Sequence, residues 1–298
     1  MSVVQQLLQQ AQSSFRASDL AGAHLLCNKV LDRNSRDPAA WRLLGAICQR
    51  LGRQEAARQA FAQAFALAPG DASVLRDLGD LERAQGRDAE AIDCYRRALA
   101  IEPRRIDAWM SLGEACRSLG QQAEALAAYQ QALTLMPDNV NALVRIGELE
   151  QQMLRFPEAE AAARRACALA PDSVIPYLLL SNSLAAQEKD EEVVAALEQA
   201  LRIDPDSKMV LTQMARIFEH WRQPDRAAEY YARLIEIDPG NAWARCRLID
   251  VKLSVCDWTD FDGFCAALVQ QIESAMAGGR EIAFDVANLL AFAVEPGF

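Results

Sequence analysis

Large and small apolar residues alternate along this chain in a fixed frame that recurs every 34 residues. Six prolines, Pro69, Pro103, Pro137, Pro171, Pro205 and Pro239, mark the frame without insertion or deletion between them. With Pro69 counted as position 32, residues 38–71 place Trp41 at position 4, Leu44 at 7, Gly45 at 8, Ala57 at 20, Phe61 at 24 and Ala64 at 27. Residues 72–105 repeat the pattern as Leu75, Leu78, Gly79, Ala91, Tyr95 and Ala98, and residues 106–139 as Trp109, Leu112, Gly113, Ala125, Tyr129 and Ala132. Residues 140–173 follow with Leu143, Ile146, Gly147, Ala159, Ala163 and Ala166. Large positions spaced i, i+3, i+4 and i+7 form one face of a helix. Gly52, Gly86 and Gly120 at position 15 suit a helix end that needs positive φ. The pattern therefore predicts two helices per unit, the second closed by the proline at 32. Pro157 and Pro224 fall where second helices begin, a place where the missing N–H is harmless.

A 34-residue helix-turn-helix period resembles the tetratricopeptide repeat, or TPR. The resemblance implies an all-α, right-handed superhelical solenoid of about seven and a half repeats with linker helices at its C-terminal end. Small residues at positions 8 and 20 are expected to let the two backbones of each unit approach closely, with the residues at 4, 7, 11 and 24 filling the remaining space. The expected array spans residues 1–256, as repeats 4–37, 38–71, 72–105, 106–139, 140–173, 174–207 and 208–241 and a half-repeat 242–256. Residues 4–37 keep the phase through Leu7, Ala11, Ala23, Cys27 and Val30 but lack the glycine and proline, as a capping repeat would. Residues 174–207 substitute Ser181 and Val193 for the small pair, and 208–241 carry Ala215, Ala227, Tyr231 and Leu234. Phe261 breaks the frame, so residues 257–298 are expected to be linker helices, one over roughly 259–277 before Gly278-Gly279 and one from Ile282 to Val294.

Charge and chemistry narrow the function. The net charge is −10, and only four of 31 basic residues are lysines, with no basic stripe for nucleic acid. The N-terminus lacks the basic and apolar regions of a signal peptide, and no apolar run approaches the ~18 residues of a membrane span. Eight cysteines without CxxC spacing, several at packing positions (Cys27, Cys48, Cys116), read as core thiols in a reducing cytoplasm. No glycine-rich phosphate loop, HExxH or GxSxG motif is present. His24 and His220 lie in different repeats, and Asp257, Asp260 and Asp262 read as helix-capping acids rather than a cation site. Catalytic, cofactor and metal residues are accordingly expected to be absent.

Residues Val255-Cys256-Asp257-Trp258-Thr259-Asp260-Phe261-Asp262 resemble the signature that follows the last TPR in O-linked N-acetylglucosamine transferases and their bacterial and plant relatives. That resemblance implies a substrate-recruiting region whose UDP-sugar-dependent catalytic part would lie beyond residue 298. The ending Glu295-Pro296-Gly297-Phe298, directly after an apolar segment, is what a chain cut before its catalytic region would show. The animal enzymes of that family share an asparagine ladder at position 6. Here position 6 reads Leu43, Asp77, Ser111, Arg145, Leu179 and Gln213, which points to selective recognition of few clients rather than a general backbone clamp. The chaperone-tail clamp of other TPR adaptors is also missing, with Arg42 at position 5 but Ala46 at position 9.

Positions 2, 5, 6, 9, 12 and 13 are expected to line a concave groove. They supply Arg76, Asp77, Asp80, Arg83, Asp107, Glu114, Arg117, Arg145 and Glu148, a mixed-sign surface suited to an extended peptide. The same residues read equally well as solvated faces pairing at i, i+3 or i+4, as Arg76–Asp80 and Asp80–Arg83 would. Ile175, Leu178 and Leu179, with Asn182 and the nearby Met209, form an apolar inner patch for a ligand side chain, a second copy or the chain's own C-terminal helices. The reading reached is a protein-binding TPR scaffold, cytoplasmic, with a protein or peptide client in the groove and room for homo-oligomers. It has no nucleic-acid or membrane partner and no cofactor, and is the acceptor-recognition region of an O-linked glycosyltransferase. The alternatives are a stand-alone adaptor with no enzyme attached, or a front end for another catalytic domain such as a sulfotransferase.

Overall fold

A computed structural model describes residues 2–254 and, beyond them, only positions 263, 266, 269 and 270. Among the described residues every regular element is an α-helix. First helices are α1 (Val3–Arg16), α3 (Pro38–Arg50), α5 (Ala72–Ala84), α7 (Ile106–Ser118), α9 (Val140–Gln152), α11 (Val174–Ala185), α13 (Lys208–His220) and α15 (Ala242–Ser254). Second helices are α2 (Leu20–Arg33), α4 (Gln54–Leu67), α6 (Asp88–Ile101), α8 (Gln122–Leu135), α10 (Phe156–Leu169), α12 (Asp190–Ile203) and α14 (Pro224–Ile237). From Pro38 onward each first helix begins 34 residues after the last. The chain divides into two compact units, Met1–Gln152 with α1–α9 and Met153–Phe298 with α10–α15. The helices expected over 259–277 and 282–294, and the signature at 255–262, lie outside the described residues apart from the four positions named.

Local chemistry sets the boundaries. Asp37 caps α3 by accepting from the backbone N–H groups of Ala39 and Ala40, with Pro38 in the first turn, and Asp71 caps α5 through the N–H of Ser73. Ser2 and Gln5 form a reciprocal capping box at α1. Pro157 and Pro224 occupy the first turns of α10 and α14, as the sequence predicts. Gly52, Gly86 and Gly120 each adopt φ 73° after a first helix. The same left-handed corner is taken by Ser18, Leu154, Glu188 and Arg222, at φ 63°, 60°, 57° and 54°. Register therefore imposes this conformation whether or not glycine is present, although a side chain there costs about 1 kcal/mol.

Packing inside the hairpins α3–α4, α5–α6 and α7–α8 differs from the backbone-to-backbone contact expected of their glycines. A Cβ on Gly45, Gly79 or Gly113 would stand 2.6, 2.6 or 2.5 Å from a ring carbon of Phe61, Tyr95 or Tyr129. The position-8 glycine thus makes room for the aromatic ring at position 24 of the facing helix, and all three rings are fully buried. The position-20 alanines Ala57, Ala91, Ala125, Ala159 and Ala227 are fully buried as well. Each second helix of the first unit also packs on the next first helix, and α3, α5 and α7 touch in succession. The tryptophans at position 4 tie hairpin to loop, since the indole N–H groups of Trp41 and Trp109 each donate at 2.8 Å to the carbonyls of Ser35 and Pro103.

Candidate protein-binding face

Because α3, α5, α7 and α9 start 34 residues apart, equivalent positions on successive first helices come side by side in the first unit. Arg42 on α3 reaches Asp77 on α5 at 2.6 Å. Arg76 beside it meets three carboxylates: Asp77 at 2.7 Å, Asp80 at 3.1 Å and, on α7, Asp107 at 3.5 Å. Asp80 also accepts from Tyr95 Oη at 2.6 Å and, at 3.4 Å, from the Ser111 hydroxyl on α7. One repeat on, Glu114 binds Arg117 at 2.9 Å and Arg145 of α9 at 2.8 Å, and Arg145 continues to Glu148 at 2.9 Å. Arg105 brackets the edge, pairing with Asp107 at 3.1 Å and reaching back to the Ser73 hydroxyl at 2.7 Å.

The result is a ladder of ion pairs that crosses from repeat to repeat. It settles the pairing expected from sequence in part: Arg76–Asp80 forms, whereas Arg83 is exposed and makes no ion pair among the described residues. Four arginines (Arg42, Arg76, Arg117, Arg145) stand among five carboxylates, so the ladder carries little net charge. The Arg105 hydrogen bond, with Arg76 nearby, holds the Asp107 carboxyl below the usual range against the opposing effect of burial. Burial acts to raise Glu114, but Arg117, Tyr129 and Arg145 together bring it below the ordinary carboxylate value. Burial first, then the Asp80 hydrogen bond, pushes the Tyr95 phenol far above its normal range. Tyr95, read as packing from sequence, thus braces the charged face from beneath through Asp80, the acid at position 9 opposite it.

In the second unit the expected apolar patch is smaller than its sequence suggests. Leu178 and Leu179 are 6% and 4% exposed and belong to the core, which leaves Ile175 and Met209, at 56% and 57%, on the surface. Val174–Ala185 is apolar on all sides, so its core face cannot be told from its outer face by pattern alone. Asn182 is exposed and accepts from the Gln213 amide at 3.0 Å, while Gln213 in turn accepts from Ser181 at 3.2 Å. Ser181, Asn182 and Gln213 line a cleft of about 540 Å³ together with Arg216, Ile217 and His220 of α13 and Trp221 just after it. Sequence reading missed this cleft, although Arg216 sits in the same register as Asp80, Glu114 and Glu148.

Tetratricopeptide repeat family models match residues 39–104, 76–140, 144–208 and 210–241. The chain belongs to the tetratricopeptide repeat family. The matches stop short of Val255–Asp262, the residues that resemble the glycosyltransferase signature. No curated protein matches the chain. Among solved structures it is similar to the C-terminal part of a TPR protein from Cytophaga hutchinsonii, at 16% identity and TM-score 0.68, over 81% of this chain and 99% of that one. It is also similar to pilF of Pseudomonas aeruginosa, at 19% identity and TM-score 0.58, over 74% of this chain and 100% of the other. A third likeness is YrrB, a TPR protein with an unusual peptide-binding site, at 20% identity and TM-score 0.54, over 63% and 96% of the two chains. At these identities the likeness is one of fold. TPR arrays are protein-interaction scaffolds, generally without catalysis of their own. No helix among the described residues is long and apolar enough to cross a membrane.

Proposed function

We propose that this TPR chain binds an extended polypeptide along the first-helix face of α3, α5, α7 and α9. The observation that carries the reading is the inter-repeat ladder, above all Arg76 among Asp77, Asp80 and Asp107. A guanidinium has five N–H donors and a carboxylate about four acceptor sites, so paired groups retain capacity for peptide carbonyls and amides. Their side-chain entropy has been surrendered on folding, which lowers the cost of ordering them around a ligand. The near balance of charge within the ladder also favours a polar client of mixed sign over a strongly basic or acidic one. YrrB, which shares the fold, has a peptide-binding site of its own.

The client reading is tested by titrating an array of mixed-sequence peptides against the chain and against Arg76→Gln and Arg145→Gln. Both variants are expected to keep their helicity and lose affinity. Peptide binding that both variants leave unchanged would move the site off this face.

Attachment to an O-linked glycosyltransferase rests on Val255–Asp262 alone, and a scaffold with no enzyme attached accounts for the described residues equally well. The two readings separate on UDP-sugar binding: the 298-residue chain is expected to show none by calorimetry, with or without peptide. A longer reading frame that binds the nucleotide would support the first. The reading requires no cofactor. The six described cysteines are free and buried, which suits a reducing cytoplasm.

A further inference from the structure

We propose that the cleft on α13 is a subsite for an acidic residue of the client followed by an apolar one. This rests on the polypeptide-binding reading and assigns a second, chemically distinct recognition point to it. Position 9 of successive first helices reads Asp80, Glu114, Glu148, Asn182 and then Arg216, so the charge at this register inverts along the array. In the first unit the acid at this position is met by a neighbouring arginine, as Asp80 is by Arg76 and Glu114 by Arg145. Arg216 has no such complement: it is exposed and makes no ion pair among the described residues.

The tyrosine beneath it shows the same inversion. Tyr95 donates to Asp80, whereas Tyr231, at the equivalent place, donates instead to Glu219 at 2.7 Å. Glu219 is committed further, to Arg247 of α15. The nearest carboxylate on the helix of Arg216 is therefore already bound, and a ligand carboxylate is the missing partner. His220 stands one turn along the same face and lines the cleft with it. Ile217 and Trp221, both half-buried, supply apolar wall between and beyond them. Glu188 and Asp190, at the turn into α12, line the same cleft, so a ligand carboxylate is favoured only beside Arg216. The hydrogen-bonded amides of Asn182 and Gln213 line the cleft as well, polar but uncharged groups suited to a peptide backbone. A cleft of about 540 Å³ has room for two residues rather than one.

The test uses the full chain and three capped tetrapeptides: acetyl-alanyl-aspartyl-leucyl-alanine amide and its asparaginyl and lysyl counterparts. Binding is followed on the Trp221 indole resonance, assigned from the Trp221→Phe spectrum. The aspartyl peptide is expected to shift it and to bind roughly tenfold more tightly than the asparaginyl one, the increment of a charged hydrogen bond. That preference should vanish in Arg216→Gln and persist in Arg202→Gln, a surface change on α12. Equal binding of the three peptides at Trp221 would overturn the acidic subsite while leaving polypeptide binding intact. If none shifts Trp221, the cleft is not a subsite. Failure of the peptide array on the first unit, by contrast, would remove the broader reading.

Discussion

Tyr95 Oη donates a 2.6 Å hydrogen bond to Asp80, joining a fully buried ring to an acid on the exposed first-helix face. One residue thereby fills the space against Gly79 and fixes a carboxylate that Arg76 shares. Core packing and surface charge are mechanically linked in this repeat. Tyr95→Phe keeps the ring and removes the bond, so it should cost about 1.5–3 kcal/mol, the range for hydrogen bonds to charged groups. Urea unfolding measures the loss, which should be smaller in a chain that already carries Asp80→Asn.

The glycine opposite the ring should be less forgiving. Gly113→Ala places a Cβ 2.5 Å from the Tyr129 ring and should destabilise by about 1–3 kcal/mol through overpacking. Hydrogen exchange should rise first in Ile106–Leu135, because repeats couple chiefly to their neighbours. Full protection of that hairpin would contradict the packing described.

Leu154 offers the opposite case. It is 74% exposed and held at φ 60°, where Gly52, Gly86 and Gly120 stand in other repeats. Leu154→Gly should therefore stabilise by up to about 1 kcal/mol, strain relief outweighing the added freedom of the unfolded chain. A lower melting temperature for this variant would show that the corner is not strained.

The sequence reads the hairpins clearly because two independent signals, the 34-residue proline spacing and the small-large pattern, demand the same register. The site is less legible. Position alone puts Arg76, Asp80, Glu114 and Arg145 on one face, but which charges pair depends on the distance between adjacent helices. Arg42–Asp77 and Glu114–Arg145 join residues 35 and 31 apart and are invisible to i, i+3 and i, i+4 reasoning. Leu178 and Leu179 mislead for another reason, since a helix apolar all round gives no periodicity from which to orient it.

Acid should weaken the second unit through Glu160. Its carboxyl is lowered from 4.5 to about 2 by hydrogen bonds from Lys189 first, then Arg164 and Gln187, against the opposing effect of burial. A depressed carboxylate contributes stability that is present above pH 4.5 and is lost as pH falls toward 2. Glu82 is shifted upward, chiefly by burial, so whole-protein stability mixes opposite slopes. The difference between the chain and Glu160→Gln isolates the effect: it should shrink between pH 5 and 2 and stay level above pH 5. A difference independent of pH would remove Glu160 from the ion-pair cluster.

The most direct test of protein binding on the ladder face is site-specific photo-cross-linking with a client peptide selected from the array. A benzophenone amino acid replaces Ser111, between Asp80 and Glu114 on the ladder, or Gln131, exposed on the second helix α8 of the same repeat. Cross-links to the peptide are expected from position 111 and not from 131, and excess unlabelled peptide should abolish them. Cross-linking from 131 with none from 111 would contradict the assignment of the binding face.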